Sequence, residues 1–162
     1  MIPVKDVLKS VKGLIDSKKQ VQINGIDLTL RDIYEFESSG VLAFENKQRI
    51  LPKIKPLKTK RKDSNQLWKL LKSGYLVRYN EVISVPLDAC GFVLPRSSLM
   101  RMGATLHTAL WDSGYTGRGL GILQVHNPHG VILQRNARIG QFILIQTKLV
   151  KSGYKGTYHG EG

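Results

Sequence analysis

The sequence predicts an all-β domain with one or two short helices. Three observations lead there. Apolar and polar residues alternate at period two over many short runs, glycine, proline or asparagine separates many of these runs, and no long helical period occurs after residue 35. Such spacing suits a sandwich, a jelly roll or a distorted barrel, and periodicity does not separate the three.

In chain order, residues 6–15 place Val7, Leu8, Val11, Leu14 and Ile15 on one helical face with Lys9 and Lys12 opposite. A short amphipathic N-terminal helix is expected there, flawed near its end by Gly13. Residues 21–30 alternate as a half-buried strand would. Further strands are expected over residues 41–44, 75–79, 82–85, 91–94, 105–111, 119–126, 131–133 and 142–149. Between them Lys53, Lys55, Lys58, Lys60, Arg61 and Lys62 crowd around Pro56, a run that reads as a solvated loop in preference to a nucleic-acid patch. Residues 1–150 form one domain, and residues 151–162, with four glycines and no aliphatic side chain, read as a flexible tail.

At 162 residues and 41% hydrophobic content the chain suits a single soluble domain, and no run approaches the roughly 18 to 20 apolar residues of a membrane-spanning helix. The first residues lack the pattern of a secretory signal, and the lone Cys90, in the apolar stretch 87–94, reads as a buried thiol. A cytoplasmic protein is therefore expected. Twenty-five Lys and Arg against 12 Asp and Glu give a net charge of +13, which favours anionic partners without choosing among nucleotides, nucleic acid and acidic surfaces. His107, His126, His129 and His159 have no tight ligand spacing, so a zinc site is not expected.

Three stretches concentrate chemistry. In residues 94–103, Arg96 and Arg101 supply cationic donors and Ser97 and Ser98 supply hydroxyls, a set suited to phosphate oxygens, although Ser97 could equally cap a helix beginning near Leu99. In residues 109–121, Asp112 stands between an apolar strand and a glycine-rich turn, either as a functional carboxylate or as a turn-forming aspartate. Tyr115, between Gly114 and Gly117, either offers a flat ring to a base or sugar or packs the turn. In residues 136–145, Gln141 interrupts an apolar strand with an amide that must find a partner, a ligand phosphate or a neighbouring backbone.

In this order the stretches resemble the sequence boxes of the dUTPase and dCTP deaminase superfamily. Asn24-Gly-Ile-Asp-Leu28 is similar to the first, Pro95-Arg-Ser-Ser-Leu99 to the second, Leu110-Trp-Asp-Ser-Gly-Tyr-Thr-Gly117 to the third and Arg138-Ile-Gly-Gln141 to the fourth, with the glycine-rich tail standing where the fifth lies. The phrases over residues 22–30 and 75–81 look most like the archaeal branch.

The resemblance implies a distorted jelly-roll β-barrel, assembled as a homotrimer with active sites shared between subunits, that hydrolyses dUTP to dUMP and pyrophosphate with Mg²⁺ on the triphosphate. It implies that Asp112 is the general base, that Tyr115 lies under the deoxyribose, that Arg96, Ser97 and Gln141 bind phosphate with Ser98 and Arg101 beside them, and that uracil is read along residues 105–109, including Thr108. No direct protein ligand to Mg²⁺ is expected, with Asp27 either supporting the metal through waters or making a structural hydrogen bond. Lys155 and Tyr158 would act as a lid over phosphates and base, although the tail lacks the Arg-Gly-x-Gly-Gly-Phe-Gly pattern of ordinary dUTPases.

Deaminases of the superfamily carry a glutamate in a Leu-Glu-x-x-Asn pattern, and this chain reads Leu123-Gln124-Val-His-Asn127. Glutamine does not exchange a proton at neutral pH, so the sequence favours phosphate-chain hydrolysis over deamination. By alternation His126 shares the face of Gln124 and reads as a structural or surface residue. A dCTP deaminase or bifunctional deaminase and dUTPase, and a non-catalytic nucleotide- or nucleic-acid-binding module on the same fold, are the alternatives; binding to nucleic acid is not expected despite the charge.

Overall fold

Strand pairing is antiparallel among the described residues, as short runs joined by glycine-rich turns dictate. The structure, a computed structural model, describes residues 1–62 and 65–160. In chain order the elements are α1 (Val4–Val7), β1 (Val11–Lys12), α2 (Ser17–Gln20), β2 (Ile26–Phe36), β3 (Ile54–Pro56), β4 (Lys60–Lys62), β5 (Asn65–Leu70), β6 (Gly74–Tyr79), β7 (Val82–Ser84), β8 (Ala89–Pro95), α3 (Ser97–Arg101), β9 (Ala104–His107), β10 (Thr116–Gly117), β11 (Leu120–Val125), β12 (Val131–Gln134) and β13 (Arg138–Gln146).

The main sheet runs β8-β13-β2-β6-β11-β9, with β3 also on β2; β1-β7-β10 and β12-β5-β4 form two smaller sheets. Its two ends meet where Gly91 in β8 exchanges both backbone hydrogen bonds with Trp111, at 2.8 and 3.0 Å. That bridge makes the sheet a nearly closed, distorted jelly-roll barrel. The eleven-residue β2 holds it together by changing partner along its length: residues 26–29 pair with β13, residues 30–34 with β6 and residues 34–36 with β3.

The core fills the barrel with Leu28, Leu30, Val77, Tyr79, Leu123, Phe142 and Leu144. Trp111 sits among aromatic rings, 6.2 Å from Tyr79, 5.8 Å from Tyr115 and 5.4 Å from Phe142 between centroids. A side chain at Gly119 would place its Cβ 2.3 Å from the indole, so glycine is what lets Trp111 lie flat there. Outside the barrel, fully buried Glu81 accepts hydrogen bonds from the Thr29 backbone N–H, the Thr29 hydroxyl and the Gln20 amide at 2.6–2.9 Å, tying α2 to β2. A buried carboxylate holds its place only with such partners.

Several expectations are corrected. The N-terminal helix covers only Val4–Val7, followed by a 3-10 turn over Leu8–Ser10, because β-branched Val11 pairs with Ile83 in β7 and Gly13, at φ 80°, turns the chain. The strand expected over residues 21–30 begins at Ile26 and continues to Phe36, while residues 41–44 hold only the isolated bridge from Val41 to Ile50. Strand β9 ends at His107, short of Trp111. Two short edge strands, β3 and β4, lie in the basic run in place of a loop, and β5 carries no clear alternation in the sequence. Asp63 and Ser64 lie outside the described residues. Cys90 is half-buried, on the outward face of β8 opposite Ile145.

Replacing Gly119 with alanine should lower the free energy of unfolding by about 1–3 kcal/mol, because the indole is wedged among three rings and has nowhere to move. Urea denaturation of Gly119→Ala against the unaltered chain measures it.

Candidate active site

The sequence-predicted residues gather at two places. The first is the turn after Trp111. There the Tyr115 N–H donates to the Asp112 C=O at 3.0 Å, and Gly114 takes the positive φ of 79° that the third position of such a turn requires. The turn is made by backbone, so the Asp112 side chain is not needed to form it. Among the described residues its exposed carboxylate has no hydrogen-bond or ion-pair partner. Tyr115 packs its ring on Trp111, as the packing alternative expects, and it also lines an open cleft of about 540 Å³ that contains Asp112. The other walls include Phe36, Leu51, Ile54, Leu76 and Leu120, so the cleft is mostly apolar with one carboxylate at its rim.

Residues 150–160 close one side of this cleft. The Val150 N–H donates to the Leu87 C=O, the Tyr154 N–H to the Ser113 C=O and the Gly160 N–H to the Thr116 C=O, at 3.0, 2.8 and 2.7 Å. The tail passes so close to the turn that a Cβ on Gly114 would lie 2.6 Å from Gly153 Cα. Tyr154 meets Tyr115 edge to face at 5.8 Å, and Tyr158 lines the cleft, while Lys155 is exposed to solvent.

The second place is the far end of β8. Arg96 precedes α3 and places Nε 3.1 Å from Asp27 Oδ2 and Nη1 3.3 Å from the Arg138 carbonyl. Arg138 Nη1 reaches the same Asp27 oxygen at 3.2 Å and also donates to the Lys19 carbonyl. Asp27 and Gln141 are direct partners across β2 and β13, with Leu94 of β8 on the other side of Gln141. Asp27 is only 1% exposed because the two guanidiniums fold over it. Burial pushes its carboxyl above the usual aspartate value, and Arg96 and Arg138 pull it only part of the way back.

Ser97 and Ser98 are exposed in the first turn of α3 and Arg101 is exposed in its last. The helix starts at Ser97 itself, with Arg96 in the capping position and no side-chain cap, so the expectation that Ser97 caps a helix starting near Leu99 does not hold. Thr108 is half-buried, its hydroxyl 3.5 Å from the Val93 carbonyl, and Ala109 and Leu110 beyond it line the cleft. Gln124, half-buried on β11 between Gly74 and Thr105, is not part of the cleft wall, and His126 is exposed just after that strand.

Strand β8 separates the two places. Four residues of extended chain lie between Gly91, which holds Trp111, and Arg96, five steps that span about 17 Å from Cα to Cα. Within one chain Asp112 and Arg96 are therefore carried toward opposite ends of β8. Sequence reasoning did not single out Arg138, although it opens the fourth box, nor Tyr154, Arg49 and the apolar wall from Phe36 and residues 51–54, which carry no motif.

A family model described as dCTP deaminase-like matches residues 4–147. The chain belongs to this family. It is 42% identical to the probable deoxyuridine 5'-triphosphate nucleotidohydrolase of Methanosarcina mazei, over 93% of this chain and 87% of that one. It is 39% identical to the deoxyuridine 5'-triphosphate nucleotidohydrolase of Methanocaldococcus jannaschii, over 88% of this chain and 89% of that one. Among solved structures it is similar to the 2'-deoxycytidine 5'-triphosphate deaminase of Agrobacterium tumefaciens, with a TM-score of 0.60 at 18% identity over 84% of this chain and 43% of the longer deaminase, a likeness of fold.

Substituting Asp27 by asparagine removes the charge that Arg96 and Arg138 share. Asp27→Asn should lose about 1–3 kcal/mol of stability in a urea titration, with Arg101→Ala, exposed and without an ion pair among the described residues, changing it far less.

Proposed function

We propose that this protein is a dUTP pyrophosphatase, converting dUTP to dUMP and pyrophosphate, and that it works as a homotrimer in the cytoplasm. The observation that carries the reading is the exposed carboxylate of Asp112, without a partner among the described residues, at the rim of a cleft walled by Tyr115, Tyr154 and Tyr158. The substrate comes from the archaeal relatives, which are named for hydrolysis of deoxyuridine triphosphate.

In this reading the deoxyribose lies on Tyr115, where a 2'-hydroxyl would meet the ring, and uracil is read along residues 105–109 with Thr108. Asp112 takes a proton from the water that attacks the α-phosphorus, and the bond to the pyrophosphate oxygen breaks as the new P–O bond forms. Arg96 is oriented for phosphate by Asp27: with Nε on the carboxylate and Nη1 on the Arg138 carbonyl, Nη2 is the edge left to face an anion. Asp27 is thereby a structural partner of arginines in this reading, not an outer-shell metal ligand. Ser97, Ser98, Arg101 and Gln141 complete the phosphate side, and from the tail Lys155 covers the phosphates and Tyr158 the base.

Among the described residues no three His, Cys, Asp or Glu side chains converge as a metal cage. The donor set fits Mg²⁺ carried in on the triphosphate, with Asp112 as the neighbouring carboxylate. Bound there, Mg²⁺ supplies neutralisation of the phosphate oxygens. The separation of about 17 Å along β8 supports a site completed by a second subunit, one chain contributing Asp112 and Tyr115 and another contributing Arg96 and Gln141.

The test is pyrophosphate release from dUTP, dCTP, dTTP and UTP with and without Mg²⁺, beside ammonia release from dCTP. Turnover of dUTP alone, dependent on Mg²⁺ and reduced by about 10²-fold or more in Asp112→Asn, is expected. Ammonia release from dCTP would support the deaminase reading against the argument from Gln124, and undiminished turnover in Asp112→Asn would remove the proposed base.

A further inference from the structure

We propose that Arg49 is the positioning residue that latches the C-terminal segment over the Asp112 cleft. Arg49 lies in the loop between β2 and β3, which is closed on itself. The Glu37 N–H donates to the Lys53 carbonyl at 2.8 Å, the Lys53 N–H to the Ser38 hydroxyl at 2.9 Å, and Val41 and Ile50 exchange both backbone hydrogen bonds at 2.8 and 2.9 Å. The position of Arg49, one residue from that bridge, is thus set before any contact with the tail.

From there its guanidinium lies 5.2 Å from the centroid of the Tyr158 ring, and Nη2 donates to the Thr157 hydroxyl at 3.3 Å. A guanidinium makes both contacts at once, its cation over the ring and a second N–H donating to the hydroxyl; a lysine ammonium concentrates its charge and donors at one atom. Tyr158 lines the cleft, and so do Leu51 and Pro52, which follow Arg49 in the loop. Loop and tail therefore meet at Arg49 on one side of the cleft. On the other side the tail is tied to the Asp112 turn through Tyr154 and Gly160.

A glycine-rich segment buries little apolar surface, so its order depends on a few discrete contacts. Two of these, the cation–π contact and the Thr157 hydrogen bond, come from one exposed-loop side chain remote in sequence. Arg49 makes no ion pair among the described residues, which leaves the tail as its side-chain engagement. Its effect on turnover rests on the dUTP-hydrolase reading; the contact with the tail does not.

The experiment is amide hydrogen exchange of the free, full-length protein, read at the 150–160 segment, together with steady-state kinetics on dUTP, for the unaltered chain, Arg49→Ala and Arg49→Lys. Exchange of the Tyr154 and Gly160 amides is expected to rise about three- to tenfold in Arg49→Ala while the amides of β2 and β13 keep their protection. KM for dUTP should rise by a similar factor with kcat changing less, and Arg49→Lys should fall between the two. Unchanged tail exchange in Arg49→Ala would overturn the latch, and faster exchange with an unaltered KM would overturn its part in catalysis. The exchange measurement decides the latch even if the unaltered protein fails to turn over dUTP, an outcome that would count against the proposed activity instead.

Discussion

The pair of hydrogen bonds between Gly91 and Trp111 is the constraint on which the arrangement of this molecule turns. It joins the two ends of the main sheet and anchors the indole in the centre of the aromatic core. It also fixes where the chain must emerge. The residue after Trp111 is Asp112, so closing the barrel delivers a carboxylate to the surface at a set point. The backbone turn that follows swings Tyr115 back against the same indole. Because β8 runs extended from Gly91 to Pro95, Arg96 emerges just beyond its far end.

At that end Asp27 plays the organising part. A nearly buried carboxylate on the outer face of a sheet is unfavourable unless paired, and two guanidiniums pair it. Neither arginine is fully covered, so each keeps edges directed outward. The result is a cationic shelf held by one acid at one end of β8, and an exposed acid beside an apolar cleft at the other. On the proposed function these are complementary halves: donors for phosphate oxygens, and an acceptor for a proton.

Much of this was legible in the sequence because it rests on local chemistry. Period-two alternation marked β6, β7, β8, β11 and β12, and the Asp-Ser-Gly-Tyr turn announced itself through Gly114. What escaped had its cause elsewhere in the chain. Val11 left a helical pattern for a strand because Ile83 was there to pair with. Strands β3 and β4 were hidden under lysines, which are ordinary on sheet edges but break the apolar alternation used to find strands. Asp27 could be matched to a family box, yet its two arginines arrive from positions 96 and 138, and sequence spacing does not encode that meeting. Arg49 and Tyr158 lie still further apart, in segments of low pattern.

On the proposed function, catalysis needs the two ends of β8 brought together from different chains. Subunit complementation tests it most directly: Asp112→Asn and Arg96→Ala chains are unfolded together, refolded as a mixture and assayed for pyrophosphate release from dUTP. Each variant alone should be inactive. If sites form between subunits, random mixing should restore about a quarter of the unaltered activity, since both halves of a site are intact in about one pairing in four. A mixture as inactive as its components would contradict the claim.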